Sequence, residues 1–281
     1  MFQCNKTLVI LGQNSNIAKE IVSQLVKSNL MSSRVISYEY IAQFRTSQFG
    51  LSSFLSELSH LHPGEEIYIV NCIGVTNPRL NAAMLLDINC EFNLQLARAV
   101  KETEVNLITI GTIMENFPEL CFSNPYLYSK YLSFSKLEEL RIENHLHLRL
   151  HTLYGGMTLH PHMFLGQLQS ALKLGSDFLM THGQQLREYH HIEDDVSLLI
   201  RSVFSGIYGI VEISSGMPVR LLELAQAVYS ELLPNRKVIA DLRVDTIENL
   251  NHVFPKLSSF DGNPVTFRDT RSGVIEYLRK L

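Results

Sequence analysis

The chain has 281 residues, a formal net charge of -4 and a mean hydropathy of +0.05, with 46% hydrophobic and 19% charged residues. These values are typical of a globular protein with a substantial core, in one large domain or two unequal ones, and they exclude a disordered or fibrous chain. They provide no basic surface for nucleic acid, and no apolar run approaches the roughly 18 residues of a membrane span.

The four cysteines, Cys4, Cys72, Cys90 and Cys121, are scattered and contain no C-x-x-C pair. Cys72 and Cys90 fall in apolar segments, which favours buried free thiols in a reducing compartment. The opening stretch MFQCNKTLVILG has too short an apolar run for a signal peptide. We therefore expect a soluble cytoplasmic protein.

Short apolar strands alternate with helices through the first half of the chain. The predicted strands are 7–11, 34–38, 67–74, 105–111 and 145–151, and the predicted helices are 15–29, one near 50–60, one within 80–101 and one opening near Tyr126. Continuous apolar strands separated by helices indicate a parallel sheet covered on both faces, and right-handed crossovers favour a Rossmann-type, doubly wound α/β fold. In the last strand, leucines alternate with polar residues, which predicts one packed face and one polar face.

From about residue 152 the pattern becomes less regular. The predicted elements there are a helix at 164–174, a segment at 187–205 that begins extended and becomes helical, a strand at 209–216, a helix at 219–232 and a helix in the last ten residues. We therefore predict a dinucleotide-binding domain at 1–152 and a smaller, irregular α/β substrate lobe at 153–281. Residues from about 187 to 205 are expected to pack back onto the first domain.

The first strand–helix turn, LGQNSNIAKEI, is where a doubly wound sheet binds a dinucleotide pyrophosphate. Glycines at three-residue spacing would fall at 12, 15 and 18, but only Gly12 is present, followed by Ser15 and Ala18. An ordinary βα turn is therefore the alternative. The residues of this turn expected to contact the cofactor are Gly12, Asn14, Ser15, Asn16 and Ile17.

Glu39 follows the predicted second strand, RVISY. A carboxylate at this position can bind both ribose hydroxyls of NAD and repel the 2′-phosphate of NADP. An exposed loop glutamate is the alternative, so the cofactor is expected to be NAD(H) or NADP(H), with the form left open.

Tyr126 is followed four residues later by Lys130. On a helix these positions share a face about 6 Å apart, so the ammonium is expected beneath the phenol. There it would lower the pKa of the tyrosine and make it a usable general acid. The alternative is an aromatic-rich amphipathic helix with one solvated lysine.

Several segments, taken in order, resemble the extended short-chain dehydrogenase/reductase family of NAD(P)-dependent nucleotide-sugar epimerases, dehydratases and reductases. They cover nearly the whole chain: the turn at Gly12, NCIGVTNP (71–78), DINCEFNLQLARA (87–99), LITIGT (107–112), YLYSK (126–130), LRLHTLYGG (148–156), GQQLREYHHIEDDV (183–196) and EISSGMPVRLLELA (212–225).

The resemblance implies roles for individual residues. It implies catalytic roles for Thr112, Tyr126 and Lys130. It implies cofactor contacts from Asn71, Cys72, Ile73, Asn89, Lys130 and Leu153. It implies substrate contacts from Thr76, Thr112, Tyr126, Thr152 and Arg187, with the Arg187 guanidinium on a phosphate of the nucleotide sugar. An ion pair of Arg187 with Glu188, Asp194 or Asp195 is the alternative.

Family dehydratases carry an Asp-Glu pair directly after the active-site threonine, whereas Thr112 is followed by Ile113 and Met114. Family members that also invert neighbouring centres carry a cysteine shortly after this position, and Cys121 is distant from it. The remaining activities are reduction of a 4-keto-(6-deoxy) sugar and C4 epimerisation. A non-catalytic regulatory or assembly protein with weakened cofactor binding is the rival from another class, against which the intact Tyr126 argues.

The partners expected from the resemblance are a nucleotide-sugar substrate and a second copy of the chain, paired through the helices around 80–101 and 126–144. Polysaccharide biosynthesis is the expected context. The histidine pairs His160/His162 and His190/His191 lack a carboxylate at a spacing characteristic of a metal site, so no metal is expected.

Overall fold

The structure, a computed structural model, describes residues 6–28, 34–38, 48–77, 80–156, 159–242 and 251–280. Within them, the strands in chain order are β1 Lys6–Leu11, β2 Arg34–Tyr38, β3 Glu66–Asn71, β4 Asn106–Thr112, β5 His145–Leu150, β6 Thr152–Tyr154, β7 Phe178–Thr181, β8 Leu186–Arg187, β9 Tyr189–His191, β10 Gly209–Glu212, β11 Val219–Arg220, β12 Val238–Leu242, β13 Ser259–Phe260 and β14 Asn263–Pro264.

The α-helices in chain order are α1 Asn16–Lys27, α2 Gln48–Leu61, α3 Ala82–Leu86, α4 Phe92–Lys101, α5 Pro118–Cys121, α6 Pro125–Leu140, α7 Phe164–Leu174, α8 Ile192–Ser205, α9 Leu221–Leu232 and α10 Thr270–Arg279. The described residues also form two short helical turns of other types. A π-helical turn, Asp87–Glu91, joins α3 to α4, and a 3-10 turn, Ile113–Asn116, follows β4.

Six parallel strands form the central sheet in the order β10-β5-β4-β3-β1-β2. This confirms the predicted Rossmann-type sheet with flanking helices. Strand order reverses between β1 and β3, since β2 lies on one side of β1 and β3 on the other. A ligand of such a sheet binds at the carboxyl ends of the strands beside this reversal. Strand β3 ends at Asn71, three residues before the predicted end, and the chain continues as a loop.

The core of the sheet is apolar because its strands are buried on both faces. Residues of β1, β3 and β4 pack against α2 and α4 through a set of nearly inaccessible side chains: Val9, Leu11, Leu51, Leu55, Ile69, Phe92, Leu96 and Leu107. Strand β5 is also buried on both faces. The predicted polar face of β5 therefore does not meet solvent, and His147 and Arg149 lie inside the protein, 4% and 7% exposed.

The chain divides into two compact units, each described by itself. The first contains residues 1–150 and 199–212, and the second contains 151–198 and 213–281. The segment expected to return to the first domain, 187–205, is thus placed differently: 187–198 belong to the second unit, and the return runs from 199 to 212. The reason is that β10 pairs in parallel with β5 and becomes an edge strand of the central sheet.

The second unit has its own apolar core, and the sheets formed by its described residues are all two-stranded: β11-β8, β12-β7, β13-β14 and β6-β9. Helices α7, α9 and α10 supply most of this core, together with Tyr154 and Phe178. The buried side chains that form it include Tyr154, Leu165, Leu168, Phe178, Leu224, Val228 and Val274. Among the described residues, no helix combines the length and the apolar character that crossing a membrane requires.

Candidate active site

The turn after β1 brings two strand ends into close contact. Gly12 has φ +82°, a left-handed conformation that suits glycine. A Cβ built on it would lie 2.9 Å from both the carbonyl carbon of Cys72 and the amide nitrogen of Ile73. The Cys72 amide also donates to the carbonyl of Leu11 at 2.9 Å. Only glycine fits between the ends of β1 and β3.

Helix α1 begins at this turn. The Ser15 hydroxyl is its N-cap and accepts a hydrogen bond from the amide of Ala18 at 3.0 Å. The first two helical amides, those of Asn16 and Ile17, have no partner within a helix by its geometry, and the helix dipole adds partial positive charge there. Ala18 is buried at the contact of helix and sheet, as expected of a small residue at this position. The turn therefore fits an anion such as a pyrophosphate.

The loop after β3 is shaped by Asn71. Its side-chain nitrogen donates to the Asn93 side chain at 2.6 Å, and its oxygen accepts from the amide of Ile73 at 3.1 Å. Burial raises the pKa of the Cys72 thiol to about 12, although a hydrogen bond with Ser15 and the charge of Lys130 act in the opposite direction. Thr76 lies farther along the loop and is exposed.

Asn89 lies in the π-helical turn and ties this loop to α6. Its oxygen accepts from the amide of Val75 at 2.9 Å, while its nitrogen donates to the Val75 carbonyl and to the Ser129 hydroxyl, both at 3.0 Å. The Ser129 hydroxyl in turn donates to the carbonyl of Tyr126 at 2.7 Å. Asn89 therefore holds the loop in place against the helix that begins with Tyr126.

Asn93, one helical turn after Asn89, makes a similar pair of hydrogen bonds. Asn93 donates to the Asn89 carbonyl at 2.9 Å and to the Ser133 hydroxyl at 3.2 Å. Our sequence analysis did not identify Asn93, Ser129 or Ser133. The sequence does contain a pattern that marks these residues. Asn89/Asn93 and Ser129/Ser133 are both polar pairs at i, i+4 spacing on otherwise apolar helix faces.

Thr112 ends β4 and is the N-cap of the 3-10 turn. Its hydroxyl accepts from the amide of Met114 at 3.4 Å, and its own amide donates to the Glu115 side chain at 3.0 Å. These two bonds form a capping box, which sets the backbone where the strand becomes a turn. Thr112 is half-buried, at the carboxyl end of its strand.

Helix α6 begins at Pro125 because the Asn124 side chain caps it, accepting from the amides of Tyr126 and Leu127 at 3.0 and 3.3 Å. Tyr126 is therefore fixed in the first turn, with Lys130 one turn later. The Lys130 ammonium donates to the carbonyl of Ile110 at 2.9 Å. A Cβ on Gly74 would lie 3.8 Å from that nitrogen. Lys130 thus reaches from α6 across the carboxyl end of β4 to the loop after β3.

The predicted lowering of the Tyr126 pKa is wrong. Burial raises the pKa of Tyr126 to about 12, and the negative charge of Glu115 adds to the rise. Helical spacing alone did not anticipate the carboxylate or the desolvation of the phenol. Burial lowers the pKa of Lys130, against the opposing influence of Glu115 and Cys72. The protonated form of Tyr126, which is the form that donates a proton, is therefore the stable one.

Glu115 is the main residue that our sequence analysis missed. It is 3% exposed and accepts hydrogen bonds from His147 Nε2 at 2.9 Å and Arg149 Nε at 3.2 Å. His147 and Arg149 are the polar residues of β5 that alternation assigned to its polar face. No short-range pattern signals the cluster, because Glu115 is more than 30 positions from both His147 and Arg149 along the chain.

Three of the remaining predicted site residues belong to the second unit. Thr152 and Leu153 are on β6 of the second unit, opposite Tyr189 and His190 of β9. Arg187 is on β8 of the same unit, and its guanidinium donates to the carbonyl of Leu186 at 2.8 Å. Glu39 lies outside the described residues.

The carboxylates considered as alternative partners of Arg187 have other contacts. Glu188 accepts from His190, from the Ser214 hydroxyl at 2.9 Å and from the amide and hydroxyl of Ser215 at 2.7 Å. Asp195 lies 2.9 Å from the other nitrogen of His190, and Asp194 pairs with Arg268. The charge of Arg187 contributes, after burial, to a His252 pKa of about 4.

His190 lies between two buried carboxylates in the second unit, Glu188 and Asp195, which are 1% and 2% exposed. Burial opposes the imidazolium charge, but the two carboxylates outweigh it and raise the pKa of His190 to about 9. In the part of the chain that the structure describes, no group of three or more His, Cys, Asp or Glu side chains has the arrangement of a metal site.

At the level of sequence, no family model and no curated protein matches the chain. Solved structures match it over almost its whole length. They include dTDP-4-dehydrorhamnose reductase from Bacillus anthracis str. Ames in complex with NADP, which is 18% identical over 99% of both chains with a TM-score of 0.71.

Two other matches carry different names. UDP-N-acetylglucosamine 4-epimerase from Methanobrevibacter ruminantium M1, in complex with UDP-N-acetylmuramic acid, is 14% identical over 98% of this chain and 96% of that one, with a TM-score of 0.74. The Bordetella bronchiseptica enzyme WbmG, in complex with NAD and UDP, is 15% identical over 97% and 94%, also with a TM-score of 0.74. At these identities the likeness concerns the fold alone, and it confirms the Rossmann-type α/β fold predicted from the sequence.

Proposed function

We propose that the protein is an NAD(P)-dependent oxidoreductase that acts on a nucleotide-activated sugar and reduces a 4-keto-(6-deoxy) sugar. The observation that carries this proposal is the hydrogen bond of 2.9 Å that the Lys130 ammonium, on α6, donates to the Ile110 carbonyl. It sets Tyr126, Lys130 and the end of β4 at one edge of the sheet, where a ligand of a doubly wound fold binds.

The residues present fit a dinucleotide. The close approach at Gly12 and the amides of Asn16 and Ile17 suit a pyrophosphate, and Lys130 suits a ribose hydroxyl beside the loop after β3. When bound, the nicotinamide supplies the hydride that reduces the ketone. Asn71, Ile73 and Asn89 act on this site by holding the loop in shape, through the hydrogen bonds that they make within the protein.

In this reaction Tyr126 donates the proton that the reduced oxygen takes up. Its raised pKa keeps the phenol protonated well into the alkaline range, which suits reduction. The Thr112 hydroxyl orients the substrate oxygen, since it lies at the strand end that the capping box sets. Lys130 is a hydrogen-bond donor, placed by the Ile110 carbonyl.

C4 epimerisation is the second candidate, supported by the match to a 4-epimerase structure. Reduction is preferred because a proton donor with a raised pKa serves one direction of proton transfer, whereas an epimerase must both remove and return the proton. Dehydration has no support, because Ile113 and Met114 follow Thr112 and neither side chain transfers protons.

We place the phosphates of the substrate on Arg187, with Thr76 and Thr152 as further substrate contacts. A guanidinium contacts phosphate oxygens in a bidentate geometry that lysine does not reproduce. Glu39 is proposed to select NAD over NADP, and Leu153 to contact the cofactor.

We further propose that the protein is a cytoplasmic homodimer that serves polysaccharide biosynthesis.

Two measurements test the enzymatic part of the proposal. The change in the fluorescence of NADH and NADPH on binding gives the affinity for each dinucleotide, and the loss of nicotinamide absorbance with a nucleotide 4-keto-6-deoxy sugar reports reduction. Saturable binding with stoichiometric oxidation of the dinucleotide is expected. Interconversion of sugars without net oxidation favours the epimerase, and absent binding favours a non-catalytic protein.

A further inference from the structure

Glu115 lies where nothing in the proposed reaction requires a carboxylate. It is 3% exposed, in the 3-10 turn directly after Thr112. One oxygen, Oε1, accepts from the amide of Thr112 at 3.0 Å, and the Thr112 hydroxyl accepts from the amide of Met114 at 3.4 Å. The side chain thus closes the turn that sets the direction of Thr112.

The other oxygen of Glu115 is held by two residues of β5. Oε2 accepts from His147 Nε2 at 2.9 Å and from Arg149 Nε at 3.2 Å. Arg149 is fixed in turn by Glu212, at 2.9 Å from Nη1, and by the Phe134 ring, 4.1 Å from the guanidinium carbon. Because charge-assisted hydrogen bonds hold both oxygens of Glu115, the carboxylate has a single orientation.

Gly111 provides the space for this cluster. A Cβ on Gly111 would lie 2.6 Å from Oε1 of Glu115 and 2.7 Å from Cε1 of His147. The carboxylate and the imidazole therefore lie against the bare main chain of β4. The residue just before, Ile110, provides the carbonyl to which Lys130 donates at 2.9 Å.

The 3-10 turn also packs against α6, the helix that carries Tyr126 and Lys130. The charged or titratable groups around Glu115 are His147 and Arg149 from β5, Tyr126 and Lys130 from α6, and Cys121 from α5. After burial, the charge of Glu115 is the further cause that raises the pKa of Tyr126. It also acts to raise the pKa of Lys130 against the effect of burial.

We propose that Glu115 is a positioning residue of the candidate active site, which holds the main chain of Thr112 in place and, through its negative charge, opposes ionisation of the Tyr126 phenol. This inference rests on the proposed function, and it adds a preference for proton donation over proton removal. Its physical basis is that a carboxylate held by His147 and Arg149 cannot rotate away from the turn.

Glu115→Gln tests the charge, because an amide retains an acceptor for the Thr112 amide and loses the negative charge. Glu212→Gln is the matched control: it removes a carboxylate from the same Arg149 without touching Thr112. We expect Glu115→Gln to lower kcat about 10-fold or more, with the dinucleotide Kd unchanged. The alkaline limb of the reductive pH profile should also move to lower pH. The control should keep the wild-type profile.

A second measurement needs neither cofactor nor substrate. Tyrosine labelled with ¹³C at Cζ reports ionisation of each of the 11 tyrosines, and Tyr126→Phe identifies the signal of Tyr126. In Glu115→Gln, Tyr126 should begin to ionise at a lower pH than in wild type, because the charge of Glu115 is the smaller of the two causes that raise its pKa. Circular dichroism defines the pH range in which the fold is intact.

Coincident titration curves in wild type and Glu115→Gln would overturn the inference, as would a lower melting temperature with an unchanged pH profile. If Glu115→Gln does not fold, Glu115→Asp replaces it. That variant keeps the charge but shortens the reach, so a wild-type titration with reduced kcat is expected, and full kcat would refute the positioning role. If the Tyr126 titration shifts in Glu115→Gln but the wild-type protein shows no turnover, the proposed reaction is rejected. The effect of the Glu115 charge on Tyr126 is then still supported.

Discussion

The Lys130 ammonium donates a hydrogen bond of 2.9 Å to the main-chain carbonyl of Ile110. This bond spans 20 positions of the chain and joins α6 to the carboxyl end of β4. It explains how a lysine on a helix comes to lie over the loop after β3, near Gly74 and Cys72. The interaction partner of the lysine is therefore set by the sheet as well as by its i, i+4 relation to Tyr126.

Tyr126→Phe should reduce turnover by at least about 10²-fold, the usual scale of general acid catalysis, because phenylalanine has no proton to donate. Affinity for the dinucleotide should change little. Steady-state kinetics and fluorescence titration give the two quantities. Tyr128→Phe is the control, two positions along the same helix, and wild-type turnover in Tyr126→Phe would remove the mechanism.

Lys130→Met should weaken dinucleotide binding, because it removes the ammonium and its bond to Ile110 while keeping an unbranched side chain. Since burial lowers the pKa of Lys130, affinity in the wild type should also decline at alkaline pH as the amine loses its proton. Titration of NADH or NADPH at several pH values measures both effects. Lys136→Met, on the same helix, is the control, and equal affinities for Lys130→Met and wild type would refute the assignment.

Gly111→Ala should destabilise the fold, by about 1–3 kcal/mol as is usual for overpacking, because its Cβ would meet Glu115 and His147. Chemical denaturation gives the free energy of unfolding. Gly64→Ala is the comparison, since its Cβ meets nothing within 4 Å and its cost comes from a φ of +75° alone. The prediction fails if Gly111→Ala unfolds at the same denaturant concentration as wild type.

Stability should fall as pH rises from about 6.5 to 9, through loss of the His190 proton. The folded pKa of His190, about 9, lies above its ordinary value of 6.5 because Glu188 and Asp195 outweigh the effect of burial. A raised pKa means that this contribution is complete below pH 6.5 and disappears as pH passes the folded value. Melting curves across this range should show the decline in wild type.

His190→Gln should remove that part of the pH dependence and lower stability at pH 6.5. The exposed His182, changed to Gln, is the control and should leave the wild-type slope in place. A wild-type slope that persists in His190→Gln would assign the pH dependence to other groups.

Arg187→Lys should raise the KM for the nucleotide sugar while dinucleotide affinity and melting temperature stay near wild type. Lysine keeps the charge and loses the bidentate geometry for phosphate. Arg220→Lys, on the strand paired with β8, is the control and should leave KM unchanged. Lost stability at an unaltered KM would make Arg187 a structural residue.

The sequence by itself determined the order of strands and helices, the glycine turn after β1 and the spacing of Tyr126 and Lys130. These are local properties: apolar runs, a left-handed glycine and helical periodicity act over a few residues. The same local rules placed most helices and strands of the sheet within a few residues of their observed ends. They did not predict the π-helical turn at Asp87–Glu91, whose polar contacts are with α6 and with the loop after β3.

Only the tertiary structure decided the protonation of Tyr126 and the environment of β5. Alternation along β5 predicts that His147 and Arg149 share a face, but it does not show whether that face meets water or a buried carboxylate. Glu115, more than 30 positions away, makes that face a buried ionic cluster. A pKa depends on every charge and apolar surface nearby, and these are brought together by the packing of β4, β5 and α6, which no short stretch of sequence contains.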